Sequence, residues 1–531
     1  MTEDKSPPLL ERISDYVAWY AAHSPKVEAL VLGARRINYA QLAFEVDGVS
    51  RALLAAGVRP GDRVATLATP HPDFFIVFLA VSSIGAIWIG LNPRYRRDEL
   101  EFVLTDSRPT LVFTRTRIGE REYAADIAGL QGTLPSARWI VLGGDPVVHD
   151  SIPYMDFIAT AAQMNSVALA QARARVRAAD PALIIYTSGS TGRPKGALLP
   201  HRGLALCCVV QHRYWSTAGL RTLNFFPINH IGCVGDIACF TLITGGCTVF
   251  LEQFSSAECL ALIAAERITL WAGVPTTFLL TLRDPAFARA DLASVQKIVW
   301  SGAAASADLV DALIGLGKWV GTSYGLTETV GSVTFTAGNS SRAVLIESVG
   351  HPPPEYPFRI IDAAGCLVAT GALGEIQIRG DFLMIGYWER PEATAAAFDV
   401  DGWFRTGDLG CWLPDGNVAL AGRRTEVFKS GGYNVYPREI EQVLERYPGV
   451  RLAAVVAVPD SIFGHVGHAF VIPESQATVA ACELDEHCRG HLANYKVPKR
   501  ITVTVDPPML PIGKIDKRAL ALRAAADSAS A

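Results

Sequence analysis

The run Tyr186-Thr187-Ser188-Gly189-Ser190-Thr191-Gly192-Arg193-Pro194-Lys195-Gly196 gathers residue types that bind an anion. Small hydroxyl residues and glycines let backbone amides and hydroxyls converge on one point, and Lys195 adds a positive charge. The run lies between the strand-like ALIIYT at 182–187 and the apolar GALLP, so a phosphate cradle suits it. It is not a Walker A loop, because Lys195 is preceded by Pro194 and followed by Gly196 rather than Ser or Thr. Turn chemistry alone would also produce a Ser/Gly hairpin loop here.

Two further runs suit other chemistries. Gly321-Thr322-Ser323-Tyr324-Gly325 fits the G-x-S-x-G of a serine hydrolase, with His351, His465, His468, His487 and His491 downstream. Cys482, His487, Cys488 and His491 stand close together in the manner of metal ligands. Their spacing matches no usual zinc pattern, and Leu484, Cys488, Leu492 and Tyr495 share one helical stripe, which favours a core role for Cys488.

The phosphate-loop run resembles the signature of the adenylate-forming superfamily, which contains acyl-CoA synthetases, luciferases and the adenylation domains of peptide synthetases. More motifs follow in that family's order. Tyr324-Gly325-Leu326-Thr327-Glu328 resembles its Y-G-x-T-E motif, and Thr406-Gly407-Asp408 its T-G-D motif. Gly422-Arg423 with Lys429-Ser430-Gly431-Gly432-Tyr433-Asn434 resembles its hinge and following loop, and Gly513-Lys514 its C-terminal G-K. The likeness runs from about residue 35 to about residue 520. Met alone, Glu328 would read as a helix cap, Asp408 as a turn residue and Lys514 as a surface lysine; their joint occurrence makes a site.

The resemblance implies an ATP-dependent carboxylic acid:CoA ligase. A carboxylate attacks the α-phosphate of ATP to give acyl-AMP and pyrophosphate, and the thiol of coenzyme A then displaces AMP. An anion approaching a polyanion needs cations and fixed donors, which accounts for the residue types. By that likeness Thr187, Ser188, Gly189, Ser190, Thr191, Gly192 and Lys195 would hold the β and γ phosphates. Glu328 with Thr187 would hold Mg2+. Tyr324 would stack on adenine, with Gly302, Ala303, Ala304, Gly325 and Thr327 around the nucleotide, and Asp408 and Arg423 would bond the ribose hydroxyls. Lys514 would bridge the attacking carboxylate and the α-phosphate. Lys429 and Asn434 resemble residues that assist adenylation in coumarate-type ligases.

Lys514 would occupy the face from which the thiol must arrive. The family resolves this by rotating its small domain, which withdraws Lys514 and presents Ser430, Gly431 and Gly432 to the pantetheine tunnel. The pivot position, usually Asp or Lys, is Thr425 here, and Glu426 follows it. His230 would gate the acid and CoA sites, a core histidine being the plain alternative. His230, Gly235, Ser301, Gly325 and Gly331 would line the acid pocket. Short-chain members carry Trp at the place of Gly325, so a roomy, largely apolar pocket is expected. It would take a medium- or long-chain fatty acid, an aromatic acid, or a bulky alicyclic or steroid-derived acid. Amino-acid-activating members place Asp directly after the aromatic residue at the His230 position; here Ile231 stands there and Asp236 is off that register. The acceptor within the family can also be a carrier protein, but nothing appended at the C-terminus suggests a built-in one, which leaves free CoA as the expectation.

The elements that must position these residues read as α/β. The 531 residues allow about three or four folding units. Half are hydrophobic and 19% are charged, so large cores can form. Lys plus Arg at 48 against Asp plus Glu at 52 gives a net charge of -4, which argues against nucleic acid as a partner. The 10 cysteines are scattered through apolar stretches, as reduced cytoplasmic thiols are, and no signal peptide is expected behind MTEDKSPP. Phe74 to Leu91 is 18 residues without a charge, yet its Ser82, Ser83, Gly85 and Gly90 favour a buried helix and strand over a membrane span.

Leu10, Ile13, Val17 and Tyr20 share one helical face, as do Leu42, Val46, Val49 and Leu53. We expect a multi-subdomain N-terminal domain over 1–421 with sheets covered by helices, a hinge at 422–426, and a small mobile α+β domain at 427–523. Residues 524–531, rich in Ala and Ser, are expected to be a disordered tail. A homo-oligomer is left open.

Overall fold

The computed structural model describes residues 7–187, 194–338, 340–430, 433–460, 462–474, 477–510 and 514–529. Within them the chain builds two eight-stranded sheets, a four-stranded antiparallel sheet and a five-stranded sheet. The first two, mostly parallel and clad by helices, form the large domain, as the αβ rhythm of the sequence predicts.

Phe74 to Leu91 is a fully buried helix, Pro72–Ser83, then the buried strand Ile87–Leu91. Gly85 makes the turn between them at φ +80°, a backbone that favours glycine. Among the described residues no helix is long and apolar enough to cross a membrane. The helix Tyr39–Ala55 buries Leu42, Val46, Val49 and Leu53 on its inner face and opens with a reciprocal Asn38–Gln41 capping box. The first helix departs from its expected span. It is Asp15–His23, so Leu10 and Ile13 precede it, and the Tyr16 hydroxyl donates to the Pro8 carbonyl at 2.7 Å to fix that approach.

The strand Pro181–Thr187 runs parallel to Ile87–Leu91 and antiparallel to Lys195–Pro200, which also pairs with Gly386–Tyr387. In the other large sheet, Trp319–Leu326 lies between Lys297–Ser301 and Gly331–Phe335. The four-stranded sheet brings Phe404–Trp412 against Val418–Arg423 with Asp408 opposite Arg423.

Beyond Arg424–Glu426 the small domain packs the helix Pro437–Glu445 onto a long hairpin, Val450–Asp460 with Gly464–Pro473. Arg500–Val503 adds a parallel strand to it. The expected disordered tail is corrected: Lys517–Ala529 is helical. Leu520 and Ala524, one turn apart, are fully buried against Val456, Val458 and Phe470 on the hairpin's outer face. Lys517 pairs with Glu426 at 2.6 Å and with the buried Glu441 at 2.8 Å.

A chain ended after Asp516 should therefore lose about 2 kcal/mol or more from the small domain, since the buried Leu520 would be missing from its core while Glu441 would keep only Arg438 as its ion-pair partner. Urea unfolding followed by limited proteolysis would read the loss, and unchanged resistance would show the helix to be dispensable.

Candidate functional site

Antiparallel pairing sets Thr187 opposite Lys195, so the two flank residues 188–194. Ser188, Gly189, Ser190, Thr191 and Gly192, expected to hold phosphates, lie outside the described residues. The strand before them is pinned by the Tyr186 hydroxyl, which donates to Asp106 Oδ2 at 2.7 Å, while Arg390 ion-pairs with the same carboxylate. Thr187 Oγ1 donates to the Lys195 carbonyl at 3.4 Å. The Lys195 ammonium stands 5.3 Å from the centre of the Tyr387 ring, and the Tyr387 hydroxyl donates to Glu328 Oε1 at 2.9 Å. Burial, then the Glu328 charge, push the Tyr387 phenol far above its ordinary value, so it stays a donor. A chain of contacts thus runs from Thr187 through Lys195 and Tyr387 to Glu328. Sequence reasoning missed Tyr387, since an aromatic in MIGYWER carries no local signal; only sheet pairing brings it beside Lys195.

A second cluster forms around Asp408. The buried Tyr324 hydroxyl donates to Asp408 Oδ2 at 2.7 Å, and Arg423 Nε meets Asp408 Oδ1 at 3.1 Å. Burial pushes the Asp408 carboxyl up, while Arg423, the Tyr324 hydrogen bond and Lys514 pull it down. Burial lowers Lys514 to about 8, with the Arg423 charge adding to the fall. His230 falls to about 4, chiefly by burial and further by Lys514. These mutual effects place His230, Tyr324, Asp408, Arg423 and Lys514 within one electrostatic neighbourhood. Gly302 holds φ +85°, and a Cβ there would lie 3.4 Å from Lys514 Cε. The small domain is therefore docked with its lysine against the large domain's Gly302, while Ala303 and Ala304 are exposed beside it.

His230 Nδ1 accepts the Gly232 N–H at 3.1 Å, which leaves the proton of the neutral ring on Nε2. Ser301 Oγ donates to the Ser323 carbonyl at 3.0 Å. Gly235, Gly325 and Gly331, expected to line the acid pocket, each have close neighbours where a side chain would begin. A Cβ at Gly325 would strike the Gly331 carbonyl oxygen and come within 2.7 Å of Ser332 Cα. At Gly235 it would come within 2.8 Å of Ile231 Cδ1, and at Gly331 within 2.6 Å of Asp236 Oδ1. At Gly325 the neighbours are backbone atoms, so that glycine answers to a close backbone approach, whereas at Gly235 and Gly331 they are side chains.

Thr327 is half-buried between Gly325 and Glu328 on the turn after the strand Trp319–Leu326. Lys429 and Asn434 face each other across the hairpin Phe428–Ser430 with Tyr433–Val435, both exposed. Among the described residues neither hydrogen-bonds to the Asp408 cluster. Ser430 is buried and pairs with Gly464, whereas Gly431 and Gly432 lie outside the described residues.

The rival chemistries find no support in this geometry. Ser323 is buried mid-strand, its hydroxyl shared with Ser332 at 2.9 Å, and no strand-to-helix elbow presents it. Cys488 is buried with Leu484, His487 Nε2 meets the Val443 carbonyl at 3.0 Å, and no metal-ligating group forms among the described residues.

The family model described as AMP-binding enzyme matches residues 17–388, and that described as AMP-binding enzyme C-terminal domain matches residues 439–514. The chain is 34% identical over 498 residues to feruloyl-CoA synthase of an Amycolatopsis species, spanning 94% of this chain and 96% of that one. It is 33% identical over 505 residues to 3-[(3aS,4S,7aS)-7a-methyl-1,5-dioxo-octahydro-1H-inden-4-yl]propanoyl:CoA ligase of Mycobacterium tuberculosis, spanning 93% and 95%. The crystal structure of ATP-bound MatB from Rhodopseudomonas palustris superposes with TM-score 0.86 at 30% identity, covering 96% of this chain and 98% of that one.

Tyr324→Phe should strip Asp408 of its buried donor and cost about 1.5 to 3 kcal/mol, the worth of a hydrogen bond to a charged group. A lowered melting temperature checks it, and a variant as stable as the parent would show that Arg423 alone satisfies the carboxylate.

Proposed function

Because the chain belongs to the AMP-binding enzyme family, we propose that it joins a ring-bearing carboxylic acid, aromatic or alicyclic, to coenzyme A through acyl-AMP. The general class is an AMP-forming acid–thiol ligase using ATP, Mg2+ and CoA, as for the two CoA-ligase relatives described above. The observation that carries the reading is Lys514 lying against Gly302 within the field of Asp408, Arg423 and His230. A lysine held there can meet both anions of the first step, the acid's carboxylate and the α-phosphate. The two relatives described above make CoA thioesters of ring acids by their names, which supports that class over fatty chains.

Each group then has a task. Lys195, backed by the Tyr387 ring, would receive the terminal phosphates together with the loop it closes. Tyr387 occupies one oxygen of Glu328; the other, with the Thr187 hydroxyl, is a hard oxygen donor of the kind Mg2+ takes. Bound there, the ion would supply charge neutralisation to the phosphates. Asp408 and Arg423 would open part of their mutual pair to the ribose hydroxyls, with Tyr324 anchoring Asp408. In the first step the acid's carboxylate oxygen bonds to the α-phosphorus and pyrophosphate leaves. In the second the CoA sulfur bonds to the acyl carbon and AMP leaves with the bridging oxygen. The neutral Nε2–H ring of His230, at the junction of these groups, suits orienting the acyl group without adding charge.

For the thiol to reach the acyl carbon Lys514 must withdraw, and we place the pivot at Thr425. Arg424 reaches back to Glu375 of the large domain at 3.7 Å, and Glu426 is held by Lys517 of the small domain at 2.6 Å. Thr425, exposed, is the residue between these two tethers.

AMP release with ATP, Mg2+ and a panel of fatty, aryl and polycyclic acids, with and without CoA, tests the reading. Acid- and CoA-dependent release is expected, strongest with ring acids. Pyrophosphate exchange without CoA dependence would point to a carrier-protein acceptor instead, and turnover of acetate or propionate alone would overturn the ring-acid class. Lys514→Ala should slow acyl-AMP formation by about a hundredfold or more while thioester formation from supplied acyl-AMP persists. Equal loss in both half-reactions would remove the two-state assignment.

The pH dependence follows from the same lysine. Its amine is protonated below about 8 and neutral above, so kcat/KM for ATP should fall as pH rises through that value. Lys514→Arg, which stays charged, should retain no such limb, and an identical alkaline fall in that variant would assign it to another group.

A further inference from the structure

Besides the contact of Lys514 with Gly302, the two domains meet around a cavity of about 140 Å3. The large domain supplies the end of the helix Pro275–Arg283 and the start of the helix Ala307–Gly315, with Arg283, Ser306 and Asp308 on the wall. The small domain supplies the end of its long hairpin remote from the turn, with Arg451 on one strand and Glu474 just past the other. The rest of the wall is apolar, so charge there is weakly screened and costly to leave unmatched.

Charge in this cavity is unbalanced. Arg283 and Arg451, one from each domain, share a single nearby carboxylate, Glu474. Glu474 Oε1 stands 3.7 Å from Arg283 Nη2, beyond hydrogen-bond reach. The Arg451 Nε–H is buried with no partner among the described residues, an unfavourable state for a donor. Asp308, the other acid on the wall, is exposed and its charge acts on Arg342. Burial and the Arg283 charge push the Arg451 guanidinium down against the pull of Glu474, so the two arginines lack negative charge.

We propose that this cavity binds a tetrahedral oxyanion of the phosphate or sulfate class, held by Arg283 and Arg451 across the domain boundary. A guanidinium presents a planar fork of donors that fits such oxygens. Ser306 caps the helix Ala307–Gly315, whose N-terminus favours an anion; its oxygen accepts the Leu309 N–H at 3.3 Å, which leaves its own hydrogen to donate. The cavity is smaller than the roughly 300 Å3 at which pockets for larger organic ligands begin, so it takes a small ion and neither a nucleotide nor an acyl chain. Because the site is complete only while the domains are docked, the ion favours that arrangement over the rotated one. It thereby supports acyl-AMP formation and opposes the withdrawal of Lys514 that thioester formation needs. This consequence rests on the acid:CoA ligase reading, whereas the binding does not.

Calorimetric titration with sodium sulfate at constant ionic strength, without ATP or acid, tests the site. The parent should bind saturably, and Arg451→Ala and Arg283→Ala, one in each domain, should each weaken binding by about tenfold or more. An affinity unchanged in both variants would place the ion at the phosphate-binding residues around Lys195 and overturn the site. No saturable binding by the parent would leave only water in the cavity and overturn it as well. For the consequence, sulfate should slow thioester formation from supplied acyl-AMP by about fivefold or more in the parent and in neither variant, with acyl-AMP formation at saturating ATP undiminished. Equal slowing in parent and variants would overturn the link between the ion and domain position. Sulfate binding that needs both arginines, in a protein that releases AMP with no acid, would defeat the ligase reading and uphold the binding site.

Discussion

A carboxylate buried where two domains meet governs this molecule. Asp408 has little contact with water, and an isolated ion there would be prohibitively unfavourable. Its compensation comes from three separate segments: the Tyr324 hydroxyl, the Arg423 guanidinium and the more distant charge of Lys514. Tyr324 requires the large sheet to be in register, and Arg423 requires the antiparallel pair that sets it opposite Asp408. Lys514 requires the small domain to be docked. One ion thereby ties sheet register to domain position.

The docked lysine is itself under electrostatic stress. Its amine is pushed down because burial and the Arg423 charge outweigh the attraction of Asp408. A triphosphate entering the cleft would reverse that balance, since it brings negative charge to a lysine that lacks enough of it. ATP would thus favour the docked arrangement by differential interaction, and departure of pyrophosphate would weaken that preference. Thr425 stands between the tethers of Arg424 and Glu426, which is why the pivot is proposed there.

Much of this was legible along the chain, and what was not has a physical reason. The helix Tyr39–Ala55 announces itself because its apolar residues recur at helical spacing, and the burial of Phe74 to Leu91 follows from glycines and serines that break a span. The Asp408, Arg423 and Lys514 positions could be picked out by family resemblance because short runs carry it, and the structure brings the three together, whereas residues 188–193 of the phosphate loop lie outside the described residues. The terminal helix Lys517–Ala529 was not, because its core contacts are Leu520 and Ala524, and alanine reads the same buried or exposed. Tyr387 was invisible because its partners, Lys195 and Glu328, are joined to it only by tertiary pairing. The surroundings of the glycines were not legible for a related reason: a sequence shows a missing side chain but not what stands in its place. At Gly331 it is the Asp236 carboxylate.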